Sequence, residues 1–286
     1  MCRFVYYQGA PIHLSELLTE PEHSLIHQSF HSHERDEPLN GDGFGVAWFV
    51  EGDPTPGVFR SVSPAWNNAN LVDLARVTRS GRILAHVRAA TQGTAVAEAN
   101  CHPFRMRGLT FMHNGDLGDF PSYRRPLLEG LSDAAFRSIQ GSTDSEYLLA
   151  CIADEWAGAG PDLDPAEGLA RALEAGLRKV LQLWHAAGLH GQLYVNCALT
   201  DGNSAVACRF TTDAPENADT LYLHQGMRYA CVGGVSALVP CPEGRASVLV
   251  SSEPLTLGDE WEAVPVGQFV LVGVDQEVRR RPCEVL

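Results

Sequence analysis

No stretch of the 286-residue chain approaches the ~20 consecutive apolar residues of a transmembrane helix. The opening MCRFVYYQGAP has no basic segment leading into an apolar one, so no secretory signal is expected. None of the eight cysteines (2, 101, 151, 197, 208, 231, 241 and 283) forms a CxxC pair, which leaves zinc ribbons and thioredoxin motifs unsupported. GxGxxG, P-loop and HExxH spacings are all missing, so phosphate, dinucleotide and zincin chemistry have no signature. There is no internal repeat and no low-complexity tract. Cations are scarce: 21 Lys and Arg stand against 35 Asp and Glu, a formal charge of −14, and lysines are few. Nucleic acid and anionic membrane are therefore poor partners, since both need basic patches. These absences predict a cytoplasmic protein whose cysteines are mostly small buried hydrophobes, with no cofactor and no metal.

What remains is ordinary globular composition, 45% apolar and 20% charged, enough to bury a core. The length suits one large domain or two small ones. Residues 2–8 (CRFVYYQ) and 43–50 (GFGVAWFV) read as strands, as do 82–89 and 108–113; residues 67–79 have helical spacing. A helix is expected from about 143, where Thr143 and Glu146 have capping-box spacing ahead of YLLACIA. A longer one is expected over 165–187, with Leu169, Leu173, Leu177, Val180, Leu181 and Trp184 on one stripe. After Gly191 come QLYVNCALT, SAVACRF, TLYLHQ, YACVG, ASVLVSS and QFVLVGV, all strand-like, with a loop at 213–219. Strands, two long helices, then strands again predict an α+β layered domain rather than alternating βαβ units.

Several residues carry chemical potential, each with a plainer reading. Loss of Met1 would give Cys2 a free α-amine, whose pKa of about 7.7–8.0 suits it as base for its own thiol. Asn40-Gly41-Asp42-Gly43 reads first as a tight turn. His86 and Arg88 end an apolar strand: Arg88 is suited to a bidentate carboxylate, or simply to solvent, and His86 to an interior hydrogen bond. Asn114 and Gly115 could aim an amide and a main-chain N–H at one oxyanion, or form a turn. Asp144 opens a helix, where the macrodipole favours it and where it could also receive an ammonium. His23, His27 and His31 are spaced for one helix face, which suits either metal ligands or a solvated polar face. Cys101 and His102 could be a conventional nucleophile pair, but neighbours on a strand point to opposite faces.

In this order the pieces resemble the class II glutamine amidotransferases, N-terminal nucleophile hydrolases: Cys2, N-G-D-G-F-G-V at 40–46, A-H-V-R-A-A-T at 85–91, N-C-H-P-F at 100–104, H-N-G at 113–115 and S-T-D-S-E at 142–146. Ser251-Ser252-Glu253-Pro254-Leu255 is similar to a late motif of the standalone members. The resemblance runs from residue 2 to about 255. It implies a four-layer αββα sandwich forming a single domain over 1–286, with 256–286 supplying C-terminal strands. It implies Cys2 as nucleophile, Asn114 and Gly115 as oxyanion hole, and Arg88 on the substrate α-carboxylate with His86 and Thr91 nearby. Asp144 would take the α-ammonium. About 30 residues follow SSEPL, so no synthase domain is expected.

The resulting expectation is hydrolysis of a small γ-glutamyl amide through a thioester on Cys2, as in standalone members of the ergothioneine-pathway and glutathione-degradation types. Three alternatives stay open: a glutaminase subunit passing ammonia to a separate synthase, a non-catalytic γ-glutamyl-binding protein, and a metal-dependent hydrolase built on the histidines of 23–37. Self-association is also open.

Overall fold

The computed structural model describes residues 2–34, 39–90, 95–156, 163–232, 235–240, 246–257 and 259–285. Its strands in chain order are β1 (Arg3–His13), β2 (Phe44–Trp48), β3 (Gly57–Ser61), β4 (Arg79–Val87), β5 (Phe104–Met106), β6 (Leu109–Leu117), β7 (Leu193–Thr200), β8 (Ala205–Thr211), β9 (Tyr222–Val232), β10 (Val235–Val239), β11 (Ser247–Ser251), β12 (Glu262–Ala263), β13 (Gln268–Val272) and β14 (Val278–Pro282). Its helices are α1 (Ser15–Leu18), α2 (Leu25–Gln28), α3 (Ala69–Val77), α4 (Phe120–Glu129), α5 (Asp133–Ser138), α6 (Asp144–Trp156) and α7 (Pro165–Ala186). The chain divides into two compact units, one of residues 1–103, 220–264 and 275–277, the other of 104–219, 265–274 and 278–286.

The first unit is built on an antiparallel sheet of order β10-β9-β11-β1-β4-β2-β3, with β12 paired to β9. β1 is central, hydrogen-bonded to β4 on one side and β11 on the other. Val5 and Tyr7 of β1 join Leu14, Leu17, Leu25, Leu71, Ile83 and Ala85 in a core beneath α1, α2 and α3. Phe4, Tyr6 and Gln8 alternate to the opposite face and are buried too, which is why this strand reads as a continuous apolar run. Helix α3 starts where expected, with Asn68 accepting the Leu71 N–H at 2.9 Å.

The second unit is built on an antiparallel sheet of order β14-β13-β8-β7-β6-β5 with α4–α7 as its helices. Helix α7 matches the predicted span, and every residue of its stripe is buried. Asp164 caps it, accepting the Glu167 N–H at 3.0 Å ahead of Pro165. Gly176 brings α7 against α6, since a Cβ there would lie 2.7 Å from Ile152 Cγ1. Nine consecutive residues of α6, Ser145–Ala153, are buried, as befits a helix apolar nearly all round. Of the expected capping box, Thr143 Oγ1 does accept the Glu146 N–H, at 3.3 Å. The Glu146 carboxylate takes the N–H groups of Gln140 (2.9 Å) and Gly141 (2.6 Å).

Three local readings change. Residues 222–225 of TLYLHQ and 229–232 of YACVG lie on one strand, β9, with a bulge where the pairing to β11 slips near Gly226 (φ 87°). Asn40–Gly43 is no hairpin turn: it leads from α2 into β2, and Asp42 and Gly43 pair with Arg88 beyond the end of β4. The 108–113 strand runs on to Leu117, so Asn114 and Gly115 are strand residues rather than a turn. The strands after residue 256 go to both sheets, β12 to the first and β13 and β14 to the second.

Candidate active site

In the first unit, Cys2 stands one residue ahead of β1, with its thiol 3.5 Å from the Ala89 carbonyl. Burial pushes the Cys2 thiol up, against the pull of the Arg88 and Arg3 guanidiniums. A thiol held protonated needs a base before it can attack.

Arg88 lies just past β4 and is tied by its main chain to the Asn40–Gly43 stretch. Its N–H donates to Gly43 O at 2.8 Å, and its carbonyl accepts from Asp42 N at 3.0 Å. Asp42 Oδ2 accepts the Ala90 N–H at 2.8 Å, which clamps the chain around Arg88 and Ala89. The guanidinium reaches the Asp42 and Ala95 carbonyls at 3.5 and 3.4 Å. Gly43 (φ 120°) is needed here, because a Cβ would meet Cys101 Sγ and Ser61 O, both at 2.7 Å.

His86 is buried on β4, opposite Phe4 and Gly45, and stacks on His102 at 4.1 Å. His102 thus faces His86 rather than Cys101, whose thiol reaches the Ser61 and Ala97 carbonyls at 3.6 and 3.7 Å. Thr91 and Met1 lie outside the described residues.

The histidines do not lie on one helix face, because α2 ends at Gln28. Their rings still gather: His23 stacks on His33 at 4.0 Å, and His27 and His31 are 5.2 Å apart. Among the described residues no group of three or more His, Cys, Asp and Glu side chains is arranged to hold a metal ion. Instead His23 Nε2 lies 3.2 Å from Glu253, a residue the sequence flagged only within its motif. Glu253 is fully buried and also receives Arg3 Nε (2.6 Å), Ser32 Oγ (2.5 Å) and the His33 N–H (3.0 Å). Burial alone would raise its carboxyl; the bonds from His23, Ser32, His33 and Arg3 outweigh that and hold it at about 2. The adjacent Ser252 pairs with Phe4, its N–H on Phe4 O at 3.0 Å and its Oγ accepting Phe4 N at 3.1 Å.

In the second unit, Asn114 and Gly115 sit in β6 opposite Asn196 and Val195 of β7. The Asn114 Oδ1 is buried without a hydrogen-bond partner among the described residues, so the fold does not consume that side of the amide. A Cβ on Gly115 would run into the Tyr194 carbonyl and lie 2.6 Å from His113 Nε2. His113 bridges Ser145 Oγ (2.8 Å) and the Tyr194 carbonyl (3.1 Å). Burial pushes its pKa down, so the neutral ring donates from Nε2 to Tyr194 and accepts from Ser145 at Nδ1. Asp144 Oδ2 accepts the Leu117 N–H at 2.8 Å, and Oδ1 accepts the Ser145 N–H at 2.7 Å. Beside it Asp116, unassigned from sequence, is pushed up to about 6 by burial and by the charges of Asp144 and Asp119. Asp116, two residues beyond Asn114 on β6, and Asp144, at the start of α6, thus come close enough to repel each other, which nothing in the linear spacing announces.

The sequence model of the family glutamine amidotransferases class-II matches residues 16–228, a span that begins beyond Cys2. The probable glutamine amidotransferase DUG3 of Saccharomyces cerevisiae is 38% identical over 293 residues, covering 95% of this chain and 82% of that protein. A γ-glutamyl-hercynylcysteine sulfoxide hydrolase of Mycolicibacterium smegmatis is 34% identical over 124 residues, which cover 42% of this chain and 54% of that protein. The structure of a glutamine aminotransferase class-II domain protein from Silicibacter pomeroyi aligns with a TM-score of 0.64 and 29% identity, over 98% of this chain and 99% of that one. The chain therefore belongs to the class-II glutamine amidotransferases, with their α+β N-terminal nucleophile fold, and is an enzyme of the amidohydrolase kind.

Proposed function

We propose that this enzyme hydrolyses a γ-glutamyl amide through a γ-glutamyl thioester on Cys2 and releases glutamate. The observation that carries the reading is the pairing of a protonated, half-buried Cys2 thiol with the clamped Arg88 segment in one unit. The substrate is a small molecule with a zwitterionic head. Arg88 takes its α-carboxylate, Thr91 assists there, and His86 stands on β4 two residues before Arg88. Asp144 takes the α-ammonium. Reading the head by two opposite charges orients the δ-carbonyl toward the thiol, a gain worth several kcal/mol.

With Met1 removed, the Cys2 α-amine accepts the thiol proton and sulfur attacks the δ-carbonyl. The Asn114 amide and the Gly115 N–H stabilise the oxyanion; losing one such donor costs about 10²–10³ in rate. The departing amine takes the proton from the α-ammonium. Water, deprotonated by the same amine, then cleaves the thioester to glutamate and free Cys2.

A second reading, delivery of ammonia to a separate synthase, is favoured by the amidotransferase named at 38% identity. The experiment is glutamate release from glutamine, glutathione and other γ-glutamyl amides, using protein whose intact mass shows Cys2 at the N-terminus, with Cys2→Ala beside it. Release that vanishes in Cys2→Ala supports hydrolysis. Release from glutamine that rises only with an added synthase favours the second reading. Release unaffected by Cys2→Ala overturns both.

A further inference from the structure

We propose that Glu253 and Arg3 form a latch that positions Cys2, making Glu253 a positioning residue for the nucleophile at 250 residues' remove. The inference rests on reading Cys2 as the nucleophile.

Sheet pairing stops one residue short of Cys2, since β1 begins at Arg3. The Ser251-Ser252 part of the late motif reaches only Phe4: Ser252 bonds both its N–H and its carbonyl, and Ser251 Oγ adds a bond to that carbonyl at 3.3 Å. Glu253 extends the hold to the end of the chain. Its Oε1 takes Arg3 Nε at 2.6 Å, and Arg3 Nη1 donates to the Cys2 carbonyl at 2.9 Å. Arg3 Nη2 donates to Ser32 Oγ at 2.9 Å, and that hydroxyl donates to Glu253 Oε1 at 2.5 Å, so the 32–33 segment closes the same ring. A planar guanidinium is suited to this, because one rigid fork serves a carboxylate, a carbonyl and a hydroxyl at once.

Both charges are buried, Arg3 at 4% exposure and Glu253 at 0%, so removing one takes from the other a charge partner at 2.6 Å. Among the described residues, charged and titratable groups face the pair from several elements. Around Glu253 they include Arg3 from β1 and His23 from the segment before α2; around Cys2 they include Arg3, Arg88 and the Cys101 thiol. Arg3 therefore acts on Cys2 electrostatically as well as through its carbonyl, and Glu253 offsets that action.

The test compares Glu253→Gln with the parent enzyme in kcat, KM and the pH profile of kcat/KM on the best substrate. Peptide-level alkylation of Cys2 against pH is read alongside, and melting curves check the fold. The expected result is a kcat lowered by about 10–10²-fold through misplacement of the nucleophile, with KM little changed. The rising limb of the profile and the alkylation midpoint both move to lower pH, because loss of the Glu253 charge beside Arg3 makes the surroundings of Cys2 more positive and favours the deprotonated thiol and amine. A folded Glu253→Gln with unchanged kcat and unchanged midpoints overturns the latch.

If Glu253→Gln does not fold, Arg3→Lys decides. Lysine keeps the charge but cannot span Glu253 and the Cys2 carbonyl with a fork, so kcat falls with no shift of the midpoints. Parental kcat in Arg3→Lys overturns the proposal. Activity surviving Cys2→Ala defeats the underlying reading instead. An inactive Cys2→Ala beside a fully active Glu253→Gln defeats the latch alone.

Discussion

Asp144 Oδ2 accepts the backbone N–H of Leu117 at 2.8 Å, tying the first turn of α6 to the end of β6. The bond sets the carboxylate's place relative to Asn114 and Gly115, which lie just upstream on the same strand.

Replacing Asp144 by Asn keeps an oxygen for Leu117 but removes the charge. A hydrogen bond to a charged group contributes about 1.5–3 kcal/mol, so KM for a γ-glutamyl substrate should rise by about 10–10²-fold. Steady-state kinetics on Asp144→Asn reads this directly. A KM equal to the parent's removes Asp144 from ammonium recognition.

Gly115→Ala should be costly for steric reasons alone. The added methyl would meet the Tyr194 carbonyl and His113 Nε2, in a sheet where β7 cannot retreat without moving β8. Overpacking of this kind costs about 1–3 kcal/mol. Thermal melting should show a drop of several degrees, and glutamate release should fall with it.

Asp116 gives a pH-dependent prediction. Its carboxyl is raised from 3.8 to about 6, chiefly by burial and then by Asp144 and Asp119. The native state therefore binds the proton more tightly than the unfolded chain, and stability falls as pH rises from about 4 to 6. Asp116→Asn removes that penalty. At pH 7 the variant should be more stable by on the order of 1 kcal/mol, after discounting for solvent screening at a half-buried site, or ~2–4 °C in Tm. At pH 4 the gain should vanish. Melting curves at the two pH values check both the size and the sign.

Cys101→Ser should leave glutamate release intact. The Cys101 thiol reaches the Ser61 and Ala97 carbonyls, and burial pushes it up, away from the thiolate. A serine hydroxyl can address the same carbonyls, so the stability change should stay near ~1 kcal/mol. Loss of release in a folded Cys101→Ser would reopen the Cys101–His102 pair.

Helix α7 was legible because its determinants are local: Asp164, Pro165 and a stripe at helical spacing lie within one segment. Asn114 and Gly115 looked like a turn because Asn-Gly favours one; a strand results because Tyr194, 79 positions beyond Gly115, supplies a carbonyl that only glycine can approach. The i,i+4 spacing of the histidine segment predicts a helix face. Its real anchor is Glu253, 220 residues from His33, which no local spacing reveals. The order of the motifs carried the family, whereas Arg3, Asp116 and Glu253 needed three-dimensional neighbours to acquire a role.

The central place of β1 has a consequence for biosynthesis. Its β4 edge can pair as soon as residue 87 has emerged, but the other edge waits for β11, at 247–251, and the Glu253 contact waits longer still. At ~5–20 residues per second, the 164 residues from 87 to 251 take about 8–33 s to make, and through that time β1 is paired on one edge alone. A strand edge exposed that long invites association with other nascent chains. The Arg3–Glu253 contact beside Cys2 therefore forms only after the 166 residues that separate Val87 from Glu253 have been made.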